Sequence, residues 1–171
     1  MLQSLLGRFP LASIRRNHGL EHATIHLLSQ RYPDRTFIGR SDIYGFVLYG
    51  AVETETLSEF TNNALDRLRA GERALAIHPN CGTNLVTSAV LASGATLLTF
   101  MGSEGKGWRH RLERFPLAVA NVIMALIIAR PLGTLAQEKL TTDGDPANLR
   151  IISVKRIERT GIALHRVLTR S

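Results

Sequence analysis

Residues 83–103 read TNLVTSAVLASGATLLTFMGS, and no side chain in the run is charged. A membrane helix needs about 20 predominantly apolar residues, with about 17 as a floor. The run is long enough, and Ser88, Ala92, Ser93, Gly94 and Ala95 suit close helix packing. A second uncharged run, FPLAVANVIMALIIA at 115–129, is prolonged by PLGTLAQ beyond a lone Arg130. It spans if Arg130 snorkels to the interface. A compact basic loop, SEGKGWRHRLER at 103–114, lies between the two runs. A two-helix transmembrane hairpin is therefore expected, with two buried helices of a soluble core as the alternative.

On the N-terminal side, NHGLEHATIHLLSQ (17–30) has a helical period, with Asn17 as its expected N-cap and Tyr32-Pro33-Asp34 ending it. TFIGRSDIYGFVLYGAV (36–52) reads as one or two strands with a turn at 39–42. Residues 54–70 return to a helix, with Leu57, Phe60, Ala64 and Leu68 on one face, a Thr56/Glu59 capping box, and Gly71 closing it. Ala74–Ile77 predicts a short strand. The first 16 residues, MLQSLLGRFPLASIRR, are broken by Arg8 and Pro10 and lack a small-residue cleavage site, so they read as an amphipathic lead-in suited to a membrane surface. After the hairpin comes a turn-rich loop. Residues 149–157 then predict a strand, and 158–169 a short basic helix.

The expected fold class is thus α+β: a small unit with a His-bearing helix, docked on a two-helix transmembrane hairpin. Three parts follow in order, an N-terminal α+β part at 1–82, the hairpin at 83–137, and a basic C-terminal segment at 138–171 that packs on the first part.

Composition narrows the function classes. At 171 residues, with 44% apolar and 20% charged, the chain is one ordinary domain and neither disordered nor fibrous. One cysteine, Cys81, excludes a disulfide framework and an internal CxxC zinc knuckle. A net charge of +7 favours anionic surroundings, but aromatics are only 6% and none interleave with a basic run. Membrane lipids, and possible membrane-protein partners, are therefore expected ahead of any specific nucleic acid. Lys and Arg number 9 before the hairpin, 4 in its loop and 8 from Arg130 onward, which places both ends in the cytoplasm of a bacterial inner membrane.

The chemistry begins at His18-Gly19-Leu20-Glu21-His22, an H-x-x-E-H pattern followed by His26. At about 100° per residue, the three histidines and Glu21 share one helical stripe, with Leu20, Ala23 and Leu27 opposite. Imidazoles one turn apart can hold a divalent cation, and the adjacent carboxylate can take a proton from metal-bound water. This is the inverted zincin order. A solvated polar stripe is the competing explanation. Further on, His78-Pro79-Asn80-Cys81-Gly82-Thr83-Asn84 leads into the first apolar run, with Thr83 or Asn84 as helix cap. A cysteine before a helix N-terminus is favoured as thiolate, although a lone cysteine is usually structural.

The expected metal ligands are His18 and His22 first, with Cys81, His78 and His26 competing for the remaining positions and Glu21 as catalytic base. Mixed imidazole and thiolate donors suit Zn2+, and no oxygen-rich cage for calcium or magnesium is present. His18, His22, His78 and Cys81 together would close the site and make it structural. His110 and His165 lie among arginines and are read as solvated or phosphate-facing, and Asp143 and Asp145 as turn formers. Three functions fit: a metal-dependent hydrolase, a non-catalytic metal-stabilised membrane module or complex subunit, and a basic lipid- or nucleic-acid-binding protein. Substrate and reaction are not specified.

The blocks HGLEHATIH, HPNCGTN and PLGTLAQEKLTTDGDP resemble those of the YqhQ-type bacterial membrane proteins, a family of unknown function described as predicted metal-dependent enzymes. The likeness covers His18, Gly19, Glu21, His22, His26, His78, Pro79, Cys81, Gly82, Thr83, Gln137, Thr141 and Thr142, in the same order. This chain departs from that pattern at Ala23 and at Leu28-Ser29, and looks like a shorter sister group. The resemblance implies a membrane setting and a metal site, and supplies no substrate.

Overall fold

The computed structural model describes residues 6, 9–101, 107–159 and 162–171. Most of the N-terminal lead-in before Phe9 and residues 102–106 of the basic loop lie outside them. The chain divides into two units, residues 1–78 with 138–171, and residues 79–137.

The first unit is built on helix α1, Leu11–Arg31, which begins well before the expected Asn17 start. Pro10 stands at its N-cap, a position where the missing proline N–H costs nothing, and its carbonyl accepts from Ile14 N at 3.1 Å. Asn17 lies inside the helix, fully buried. Its amide donates to Asp42 O at 2.8 Å and accepts from Thr169 Oγ1 at 2.6 Å. The cap-forming side chain instead ties α1 to two strands.

Strands β1 (Ile38–Asp42) and β2 (Gly45–Tyr49) form a hairpin that turns at Ile43-Tyr44, not at the expected 39–42. Gly45 takes φ +138°, a left-handed value open to glycine, so the turn falls there. Helix α2, Thr54–Arg69, has Glu53 at its N-cap position without a side-chain cap bond, so the expected Thr56/Glu59 box lies inside the helix instead. It buries Leu57, Thr61, Ala64, Leu65 and Leu68, an amphipathic spacing that faces the core. Gly71, at φ +95°, closes it as expected.

Arg73–Ala76 is a 3-10 turn, not a strand. Strand β3 covers Arg150–Arg159, and β4 covers Ile162–Arg170, where a basic helix was expected. The sheet is antiparallel in the order β1-β2-β4-β3, so β4 is an inner strand paired on both sides. Leu20, Leu28, Phe46, Leu48, Leu57, Leu149 and Val167 form the centre of the core.

The second unit is a hairpin of α3 (Gly82–Phe100) and α4 (Trp108–Ala136), the latter running on into a π turn at Gln137–Thr141. The helices are antiparallel. At one end Asn121 donates to Thr99 Oγ1 at 2.9 Å and Arg114 to Thr99 O at 2.9 Å. At the other, Gln137 Nε2 donates to Asn84 Oδ1 at 2.7 Å, and Gly133 leaves room for Asn84. Both helices are long and apolar enough to cross a membrane. Leu85, Val86, Val90, Leu97, Leu98, Ile123, Met124, Ile127 and Ile128 on these helices are exposed.

Candidate metal centre

Helix α1 carries His18, His22 and His26 on the turns that its 3.6-residue period brings into line. His78, at the end of the 3-10 turn, joins them. The ring centroids of His18 and His22 are 4.3 Å apart, those of His22 and His78 5.9 Å, and those of His26 and His78 6.0 Å. A ring nitrogen of His18 lies within 4.8 Å of one of His22.

Two backbone carbonyls orient this row. His18 Nδ1 lies 2.9 Å from Thr141 O, and His22 Nδ1 lies 2.7 Å from Ala76 O. A carbonyl can only accept, so each Nδ1 carries the proton and donates it. In the neutral ring that puts the lone pair on Nε2 in both histidines, the tautomer that many metal-ligating imidazoles adopt. Ala76 reaches His22 because the 3-10 turn bends the chain back onto α1. Thr141 reaches His18 because segment 141–143 is seated there. Asp143 N donates to Arg15 O at 3.0 Å, and the Arg15 guanidinium donates to Thr142 O at 2.8 Å. Gly19 has no Cβ, and one there would overlap the Asp143 carbonyl oxygen.

Burial, reinforced by His22 and His26, pushes the His78 imidazole down to about 4, so it is neutral at physiological pH and in the ligating form. Nδ1 of His26 is buried with no hydrogen-bond partner among the described residues.

Glu21 is 4% exposed and flanks the row. Its carboxylate is turned to β1, where it accepts from Ser41 Oγ, and a Cβ on Gly39 would overlap it. Burial raises its carboxyl above the usual range, opposed by the Ser41 bond and by the neighbouring His18. Sequence reasoning named Glu21 and the histidines but not Ser41, Gly39, Arg15 or the two carbonyls. Partners across 20 to 127 residues leave no local period to read.

Cys81 belongs to the second unit, where it is itself the N-cap of α3. Its Sγ accepts from Thr83 N at 3.4 Å, so neither Thr83 nor Asn84 is the cap. His110 pairs with Glu113 at 3.7 Å. His165 is not solvated. It is 1% exposed and its Nε2 meets Thr54 Oγ1 at 3.2 Å. Asp143 and Asp145 form turns, accepting from Asp145 N and Ala147 N.

Fold and site together define an α+β protein with a row of oriented imidazoles and two long apolar helices. Residues 13–154 match the family described as a domain of unknown function, DUF6391, and the chain belongs to that family. That description carries neither the YqhQ-type name nor an enzyme assignment. An uncharacterised protein of the cyanobacterium Picosynechococcus sp. is 35% identical over 159 residues, spanning 85% of this chain and 73% of the relative. No solved structure matches.

Proposed function

We propose that this chain is a bacterial inner-membrane protein that holds one zinc ion at the histidine row of α1 and hydrolyses a substrate at the membrane surface. The observation that carries the metal reading is the pair of Nδ1–carbonyl bonds at His18 and His22, one helical turn apart, which orient both rings and put each lone pair on Nε2. His18 and His22 are the first two ligands. Cys81 follows His78 by three residues, a tether of about 10 Å at full extension, and completes the set in competition with His78 and His26. Bound zinc would supply a Lewis acid and a water of lowered pKa. Glu21 is the proton acceptor of the reading, its raised pKa bringing it toward the range a general base needs. The three sequence blocks that resemble the YqhQ-type proteins support the same ligand set.

The membrane reading is supported by the exposed apolar faces of α3 and α4. It is also supported by the excess of Lys and Arg outside the hairpin loop, which puts both ends in the cytoplasm. A second reading, a closed structural metal site in a non-catalytic membrane module, is favoured by the hold of Ser41 on Glu21.

The test is elemental analysis of the purified full chain and of His22→Ala, Cys81→Ser and Glu21→Gln. The proposal expects about one equivalent of zinc per wild-type chain and a large loss in His22→Ala. A full equivalent retained in His22→Ala, or none in wild type, removes the metal site. If Glu21→Gln keeps both the metal and every measurable function, the structural reading replaces the hydrolase.

A further inference from the structure

The second unit holds a cavity of about 610 Å3 between the start of α3 and the last turns of α4. Its wall includes Asn80, Cys81, Asn84, Leu85, Ser88, Arg130 and Thr134. Arg130 is the one charged group in that wall, no carboxylate lines it, and no ion pair to Arg130 occurs among the described residues. The N-terminal end of α3, whose dipole is positive, opens on the same space. Two sources of positive potential therefore meet at one cavity, whose lining mixes polar and apolar side chains.

Depth makes the arrangement informative. Gln137 and Asn84 are bonded at the polar end of the hairpin. Arg130 precedes Gln137 by seven residues, which on a helix places it about 10 Å further along the axis. In the spanning reading an arginine at that depth is costly unless it faces a polar cavity or a partner, and such residues mark ligand paths. Leu85, at the rim, is 73% exposed. A lining of mixed polar and apolar side chains suits an amphiphile.

We propose that this cavity binds the phosphate headgroup of an anionic membrane lipid. The Arg130 guanidinium takes two phosphate oxygens through its planar fork, and Ser88 donates a further hydrogen bond. The inference rests on the membrane reading above and is independent of the metal.

The experiment is native mass spectrometry of the full chain released from nanodiscs of equal parts phosphatidylcholine and phosphatidylglycerol. Retained lipid is compared among wild type, Arg130→Gln, Arg130→Lys and Arg109→Gln, with helicity checked for each. Wild type retains phosphatidylglycerol about tenfold over its bulk share, the ratio expected for a charge-assisted bond. Arg130→Gln falls to the bulk ratio, Arg130→Lys lies between, and Arg109→Gln matches wild type. Equal retention by wild type and a helical Arg130→Gln overturns the proposal, as does a wild-type ratio equal to the bulk. If excess inorganic phosphate strips the lipid from wild type, the anion comes from water and the lipid assignment is overturned. A chain that stays soluble without detergent and never enters the nanodisc refutes the membrane reading instead, and this inference with it.

Discussion

Replacing Gly19 with alanine tests the packing that orients His18. In an open helix interior the change stabilises by about 1 kcal/mol, because glycine is the more flexible residue in the unfolded chain. Here the new Cβ overlaps the Asp143 carbonyl oxygen, with the carbonyl carbon at 3.1 Å and the Ala76 Cβ at 3.4 Å. Restoring an ordinary carbon–oxygen separation of about 3.3 Å requires the loop to retreat by about 1 Å. The neighbour is backbone, so no rotamer change relieves it, and overpacking of this kind costs about 1–3 kcal/mol. The retreat also pulls Thr141 O from His18 Nδ1, which costs a further 0.5–1.5 kcal/mol, roughly. Against the helical gain, the balance is a destabilisation of about 2 kcal/mol. For a chain of this length that lowers the melting temperature by about 4–8 °C. The assay is a thermal scan of the detergent-solubilised protein by circular dichroism, together with a zinc competition titration, in which affinity falls about 10- to 100-fold as the ligand loses its orienting bond. A melting temperature that rises in Gly19→Ala refutes the reasoning, because only the contact with Asp143 reverses the sign.

Three further outcomes are expected. Asp42 accepts both guanidinium nitrogens of Arg166 at 2.7 Å, and this bond holds its carboxyl below the usual range. The stabilisation is present above the unfolded carboxylate value near 4 and is lost as pH falls through the lower folded one. Asp42→Asn removes that acid dependence and, for a half-exposed pair, costs about 0.5–1 kcal/mol at neutral pH, read from denaturant midpoints at pH 7 and pH 3. Burial, helped by Arg156, lowers the His165 imidazole from 6.5. The unfolded chain therefore takes up the proton first, stability declines as pH falls below 6.5, and His165→Leu should flatten the melting temperature between pH 7 and pH 5. A Cβ at Gly133 would overlap the Asn84 side chain and break its bond to Gln137, so Gly133→Ala should destabilise the hairpin by about 1–3 kcal/mol in a detergent unfolding titration. An unchanged transition there would contradict the packing.

The α+β class, the histidine helix and the long apolar helices were legible because each rests on a pattern within one segment. Charge-free runs need no partner to be recognised, and the His18/His22/His26 spacing is a property of a single helix. The misses share the opposite character. The basic helix expected at 158–169 is mostly strand β4, because an inner strand with neighbours on both sides shows no clean alternation. Leu164, His165 and Val167 are all buried, which fits a helical stripe as well as a strand. Asn17 has the chemistry of a cap, and only its partners Asp42 and Thr169, 25 and 152 residues away, show that its amide serves the sheet. Ala74–Ile77 is apolar enough for a strand, but Arg73–Ala76 curls into a 3-10 turn that delivers Ala76 O to His22. The candidate site was half visible for the same reason. The imidazoles could be listed from their spacing, while the groups that set their protons are backbone atoms whose residue type is irrelevant.

The carbonyls of Ala76 and Thr141 stand on either side of the hairpin in the chain, yet both grip neighbouring rings of α1. The apolar helices are thus a parenthesis: the sentence of the first unit breaks off after His78, resumes at Glu138, and its two cut ends are clasped one helical turn apart. A parenthesis can be lengthened, shortened or exchanged without altering the grammar around it. The imidazole row is thus assembled from two segments of the first unit that are distant in sequence and close on α1 through these two carbonyls.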